Sequence, residues 1–180
     1  MHTVIYKRAT TSQELKGILE LQKHNIPLSI SEEEKLKEGF LTVHHSFEIL
    51  KAMNDVCPHI IATQNNKVVG YALSMVTEFQ NTIDVLKPMF LEIDTCVKPS
   101  TSYIVMGQIC IDKSYRKQGL FRGLYQYMQK ELNTTFNLLI TEVDVKNTRS
   151  LNAHQAVGFE VLKKYTSNNQ EWTLLSWDWS

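Results

Sequence analysis

The residues best placed to do chemistry lie in one short turn. Between the apolar run YIVMGQICI and the helical pattern LFRGLYQYMQKEL, the chain sets Arg116, Lys117 and Arg122 around Gly119. A helix N-terminus leaves backbone N–H groups unpaired and carries the positive end of the helix dipole. A preceding loop that curls its own N–H groups inward adds donors and can cradle a phosphate. Gly119 permits the close approach or positive φ that such a loop needs, and the cations supply outer charge. The turn therefore reads as a seat for a small anion, set against the alternative of a solvated basic cap on an ordinary helix. Two familiar phosphate loops are excluded. GLFRG lacks the spacing and the Lys-Ser/Thr pair of G-x-x-x-x-G-K-[ST], and G-x-G-x-x-G does not occur.

Composition limits the partners. Lys plus Arg equals Asp plus Glu at 19 each, so the basic turn is a local feature and no nucleic-acid partner is expected. Cys57, Cys96 and Cys110 are odd in number and irregular in spacing, offering neither a disulfide framework nor a metal site. They read as reduced thiols of a cytoplasmic protein. No apolar run reaches the roughly 18 residues of a membrane span, and MHTVIYKRAT lacks the apolar core of a signal peptide.

The elements that must position the turn follow from periodicity. TVIYKRA reads as a strand, and Thr11 with Glu14 forms a capping box for a helix that Pro27 ends. Ser31 with Glu34 opens a second helix, and SFEILKAMNDV is a third, stopped by Pro58. HIIATQ and KVVGYALSMV flank Asn65-Asn66 as a hairpin, and Pro88 starts a short helix over MFLEID. YIVMGQICI is apolar enough to be covered on both faces. After the turn, Leu120, Leu124, Tyr127, Met128 and Leu132 recur at helical spacing. NLLITEVDV is a strand, Thr148 to Val157 a helix closed by Gly158, and two last strands flank Asn168-Asn169. The expectation is an α/β fold, with a mixed, mostly antiparallel sheet of six to seven strands and helices on both faces.

A strand, R-x-x-G-x, a helix, and a strand running into VDVKNTRSLNAHQAVGF resemble the GNAT superfamily of acyl-CoA N-acyltransferases. That family's signature loop reads [QR]-x-x-G-x-[GA], and a later segment resembles N-x-x-S/A…Y…G-F. Here the first motif falls on Arg116, Lys117, Gln118, Gly119, Leu120 and Phe121, the second on Asn147, Ser150, His154, Gly158 and Phe159. The resemblance implies a single N-acetyltransferase-like domain over residues 1–180, with splayed central strands and acetyl-CoA as co-substrate. The acceptor would be a primary amine of a small molecule or peptide that attacks the thioester directly, and a homodimer is compatible with it. By resemblance the pyrophosphate sits on the amides of residues 116–121, with Arg122 adding charge. The pantetheine arm runs along Ile109, Cys110 and Ile111, and Asn147 reaches its amides or caps the following helix. The amide of Ile109 polarises the thioester carbonyl. His154 stands where the family usually has a tyrosine acid.

Three positions depart from the pattern. Phe121 replaces a small residue and must point away from the phosphates. Val105 stands where histone-modifying relatives carry a glutamate. Glu142, Asp144 and Asp94 are carboxylates that could act through water, and none is assigned as the base. A catalytically silent acyl-CoA-binding or sensing module is the main rival, an anion-gripping interaction module the second. Residues 77–102 and the final hairpin are expected to form the acceptor pocket, with Phe79, Met89, Phe90, Trp172 and Trp177 as apolar walls.

Overall fold

Local signals set most element boundaries in the computed structural model, which describes residues 3–25 and 44–180. The expected stop at Pro27 and the helix opened by Ser31 and Glu34 lie outside the described residues. After β1 (Ile5–Arg8), the Thr11 hydroxyl accepts from Glu14 N–H and the Glu14 carboxylate accepts from Thr11 N–H, so a complete capping box opens α1 (Ser12–Lys23). Ser46 caps α2 (Phe47–Val56) by accepting from Ile49 N–H. Asn65 and Asn66 both take positive φ, the geometry of a two-residue turn matching strand twist, and join β2 (Ile60–Gln64) to β3 (Lys67–Met75). Pro88 lies in the first turn of α3 (Lys87–Cys96), where its missing N–H has no partner to lose.

The site is framed by β4 (Tyr103–Ile111), α4 (Leu120–Leu132), β5 (Leu138–Asp144) and α5 (Thr148–Val157). Gly158 ends α5 at φ +128, a conformation side chains rarely adopt, and a Cβ there would stand 3.1 Å from Trp177 Nε1. A hairpin of β6 (Glu160–Ser167) and β7 (Gln170–Asp178) turns at Asn168 and Asn169, again both at positive φ.

The seven strands form one sheet in the order β1-β2-β3-β4-β5-β7-β6, antiparallel throughout except for β4 with β5. Alternating side chains feed two cores. On one face α4 buries Leu124, Tyr125 and Met128 against Ile60, Ala72, Leu139 and Leu175. On the other, α1 packs Leu15 and Ile18 on Ile61 and Tyr71, while α2 and α3 cover Met75, Val105, Ile140 and Leu174. Each fully buried aliphatic or aromatic side chain contributes about 1.5–3 kcal/mol. Met89 and Phe90, expected as pocket walls, belong to this second core, 1% and 3% exposed. The reason is helical phase: with Ile93 they form the stripe that seats α3 on the sheet. Trp177 packs on the opposite face against Phe159 and Tyr125.

The sheet opens between β4 and β5, its only parallel junction among the described residues. β4 and β5 pair over Tyr103–Val105 and Leu138–Ile140 and no further. Directly beyond, the β3–β4 register slips: Ser74 faces Met106 but Ala72 faces Ile109, so the extra residue lies at Gly107-Gln108. Such a bulge bends its strand and sharpens its twist. β5 stays paired to β7 along its whole length, from Leu138↔Asp178 to Asp144↔Trp172. The bent β4 therefore leaves β5 behind, and a cleft opens between them.

Candidate active site

The register decides what faces that cleft. Asp112 N–H donates to Val69 O at 2.9 Å, which marks those two residues as a hydrogen-bonded pair. Such pairs alternate in an antiparallel ladder, so the next is Cys110 with Tyr71. The N–H and C=O groups of Ile109 and Ile111 therefore point away from β3, into the gap. The Ile111 carbonyl is met there by Arg116 Nε at 3.2 Å. The free edge of β4 thus presents strand-type donors and acceptors to a cavity of about 290 Å3.

The cavity continues from the strand edge to the basic turn. Its wall includes Ile109, Cys110 and Ile111 from β4; Arg116, Lys117, Gly119, Leu120 and Phe121 from the turn; and Asn147 from the start of α5. Lys117 at φ +60 and Gly119 at φ +82 are both left-handed, curling the loop before α4 begins. A Cβ built on Gly119 meets no atom within 4 Å, so the space beside it is open. Arg116 Nη2 donates to Asn25 Oδ1 at 2.6 Å, fastening the turn to the end of α1. Phe121 turns its ring edge-on to Tyr125 and His154, at centroid distances of 5.2 and 5.1 Å. The bulky sixth residue of the motif is accommodated by packing between α4 and α5.

The Arg122 side chain, expected to add charge, is directed elsewhere, as is that of Gln118, of which only the backbone amide was expected to bind. Arg122 donates to the Ala156 carbonyl at 2.5 Å, capping the end of α5, and Gln118 donates to the Ser114 carbonyl at 3.0 Å. Neither lines the cavity. Asn147 does line it while capping α5, its Oδ1 accepting from Ser150 N–H at 3.2 Å. The Cys110 thiol is buried and pushed up to about 12, so it packs as an inert neutral group. Asn25, Tyr115, Arg149, Ser150 and Ala153 complete the wall, and of these only Ser150 had been singled out, as a motif residue. Ser150 had a signal, one helical turn after Asn147, whereas nothing local links Asn25 to Arg116 across 91 residues.

His154 is held where it has no proton to give. It is 1% exposed, its Nε2 lies 2.7 Å from Tyr125 Oη, and its Nδ1 lies 2.7 Å from the Ser150 carbonyl. The carbonyl can only accept, so Nδ1 carries the proton and Nε2 accepts from the Tyr125 hydroxyl. Burial pushes its pKa down to about 4. The ring is neutral at pH 7, with its one N–H committed to the backbone and Phe121, Tyr125 and Phe159 around it. The direct acid role expected from its position does not fit this geometry.

The cleft instead supplies a carboxylate. Glu142 of β5 lines a small adjoining pocket that shares Ile109, Asn147 and Ser150 with the cavity, together with Gly107, His154 and Trp172. Burial raises its pKa to about 7, opposed by the Tyr165 hydroxyl, which donates to Oε2. An acid poised near the working pH, beside an open strand edge, has the properties of a general base. Its signal in the sequence was one of two carboxylates, Glu142 and Asp144, inside LLITEVD. Asp144, two residues on, is committed to the Lys146 amide and to Gln170, each at 2.8 Å.

Comparison with known proteins agrees with this architecture. Residues 23–159 match the Acetyltransferase (GNAT) family. No curated protein matches the sequence. Among solved structures, the ribosomal-protein-S18-alanine N-acetyltransferase of Escherichia coli is 16% identical, with a TM-score of 0.65 over 99% of this chain and 95% of that one. The NatC complex bound to Gag peptide and CoA contains a chain 17% identical, with a TM-score of 0.68 over 99% of each. The Salmonella typhimurium protein yncA, solved with its cofactor acetyl-CoA, is 12% identical, with a TM-score of 0.66 over 98% of this chain and 94% of that one. At such identities the likeness to these structures is one of fold. The family match spans most of the sequence, and the chain belongs to the acetyltransferase (GNAT) family.

Proposed function

We propose that this protein transfers an acetyl group from acetyl-CoA to a primary amine, by direct attack of the amine on the thioester. One observation carries the reading: the free edge of β4 and the left-handed turn before α4 line a single cavity. The residues present suit the co-substrate. Open space beside Gly119 leaves room for a phosphate against the amides of residues 116–121, and Lys117 adds charge. The outward groups of Ile109 and the N–H of Ile111 can pair with the amides of an extended pantetheine arm, as an added strand would. Two structural relatives were solved with CoA or acetyl-CoA, which supports the same occupant here.

The chemistry falls to a few groups. The Ile109 N–H is aimed into the cleft, where it can stabilise the oxygen of a thioester under attack. Glu142, its pKa raised by burial to about 7, takes the amine proton. His154 and Tyr125 hold α5 and α4 together behind it. The acceptor enters on the face carrying Glu142 and Trp172, one sheet housing both substrates, and we read residues 1–180 as one domain. Free cysteines suit the cytoplasm.

The test is release of CoA thiol from acetyl-CoA with a panel of amino acids, polyamines, aminoglycosides and peptide N-termini, with mass analysis of the amine. Thiol release matched by acetylated amine is the expected result. Binding of acetyl-CoA with no release for any amine would make the protein a sensing module instead.

A further inference from the structure

A carboxylate works as a base only if one oxygen is kept free and aimed at the proton it takes. Here that control comes from outside β5. Trp172 of β7 pairs with Asp144 on one side and with Tyr165 of β6 on the other. Directly paired residues share a face and side chains alternate, so Tyr165 and Glu142 lie on the same face of the sheet. The Tyr165 hydroxyl donates to Glu142 Oε2, and Oε1 has no hydrogen-bond partner among the described residues.

Tyr165 is itself anchored. Two residues before it, Lys163 pairs with Glu92 at 2.5 Å and donates to Thr95 Oγ1 at 3.2 Å, pinning the edge strand β6 to α3. The charged and titratable groups around the pair are Glu92 of α3, Lys163 of β6, Asp144 of β5 and His154 of α5. Lys163 neutralises Glu92, Asp144 is engaged by Lys146 and Gln170, and His154 is neutral. Burial, then Glu142, holds the Tyr165 phenol far above its ordinary value, so it stays a donor at every working pH.

We propose that Tyr165 is the positioning residue of the catalytic base: its hydroxyl holds one Glu142 oxygen so that the other faces the incoming amine. The bond also favours the ionised carboxylate, and losing it makes the base harder to ionise. This rests on Glu142 being the base, so the two ideas need separate readouts.

The 180-residue chain, labelled with carboxyl-13C glutamate, is titrated by NMR from about pH 5 to about pH 9, and the Glu142 signal is assigned by its loss in Glu142→Gln. The wild-type midpoint is expected near about 7. In Tyr165→Phe, which keeps the ring and removes only the hydroxyl, the midpoint should rise by about one unit, a tenfold shift in the ratio of forms. With the best amine of the panel, the acidic limb of kcat/KM should move upward equally, and turnover should recover at high pH. An unmoved midpoint, or a loss uniform across pH that follows melting temperature, overturns the proposal. If the Phe variant does not fold, fluorotyrosine at position 165 keeps the size and donates more strongly; the midpoint should then fall, and an unchanged one overturns the idea. Full turnover in Glu142→Gln would overturn the base assignment, whatever Tyr165 does.

Discussion

Replacing His154 by Phe separates packing from chemistry. The Tyr125 side chain is fully buried, and its hydroxyl donates to His154 Nε2 at 2.7 Å. The Phe ring fills most of the imidazole's space but accepts no hydrogen bond. An enclosed hydroxyl without a partner costs about 1–3 kcal/mol, and the Ser150 carbonyl loses its donor for about 1 kcal/mol more. The sum, roughly 2–4 kcal/mol, corresponds in a chain of this size to a fall in melting temperature of roughly 5–15 °C. Adding Tyr125→Phe removes the orphaned hydroxyl as well. The double variant should be at least as stable as His154→Phe, with a coupling of about 0.5–3 kcal/mol in a mutant cycle. Chemical denaturation gives the stabilities, and thiol release per folded molecule gives kcat, which should stay within a few-fold of wild type. A general acid would forfeit about 10²–10⁴-fold. A loss of that size with unchanged stability would refute the reasoning and restore His154 as the proton donor.

Gly119→Val forces a β-branched residue to φ +82 at the mouth of the cavity, and calorimetric affinity for CoA should fall tenfold or more, about 1.4 kcal/mol. Arg122→Ala should leave that affinity within twofold and lower only the melting temperature, because Arg122 serves the end of α5. His45, His59 and His154 are each pushed by burial from 6.5 to about 4, so the unfolded chain binds more protons between those values. Their contribution is full above about 6.5 and is lost as pH falls toward 4. Glu142, raised from 4.5 to about 7, works in the opposite sense over much of that window. Unfolding near pH 5.5 should thus take up about two protons from these four groups, and Glu142→Gln should steepen the dependence by about one, measured from denaturation midpoints against pH.

Wherever a few neighbouring residues decide the outcome, the fold was legible in the sequence. The Thr11–Glu14 box, the Asn-Asn turns, Pro88 and Gly158 each act within a turn or so, and each lies where expected. The turn from Arg116 to Phe121 was equally visible as a loop between strand and helix, with Gly119 at the positive φ it was expected to permit. What escaped was register and enclosure. Nothing in YIVMGQICI says that Gly107-Gln108 bulges, yet that extra residue opens the cleft. The bulge is secured by contacts far along the chain: Gln108 Oε1 accepts from Tyr71 Oη at 2.6 Å and from Gln22 Nε2 at 2.5 Å. Met89 and Phe90 read as pocket walls because a short apolar helix does not reveal which side it turns to the sheet. His154 shares the motif position of the family's tyrosine, but its neighbours Tyr125 and Phe121 commit it to packing. The character of Glu142 depends on burial between strands and on Tyr165, neither apparent from LLITEVD.

The most direct test is the pH dependence of acetyl transfer in wild type and Glu142→Gln, followed by thiol release with the best amine of the panel. Wild type should show an acidic limb with a midpoint near about 7. The Gln variant should bind acetyl-CoA normally and lose about 10²–10⁴-fold in kcat. Wild-type turnover in the Gln variant across the whole range would contradict the assignment of this cleft as the place where the amine is activated.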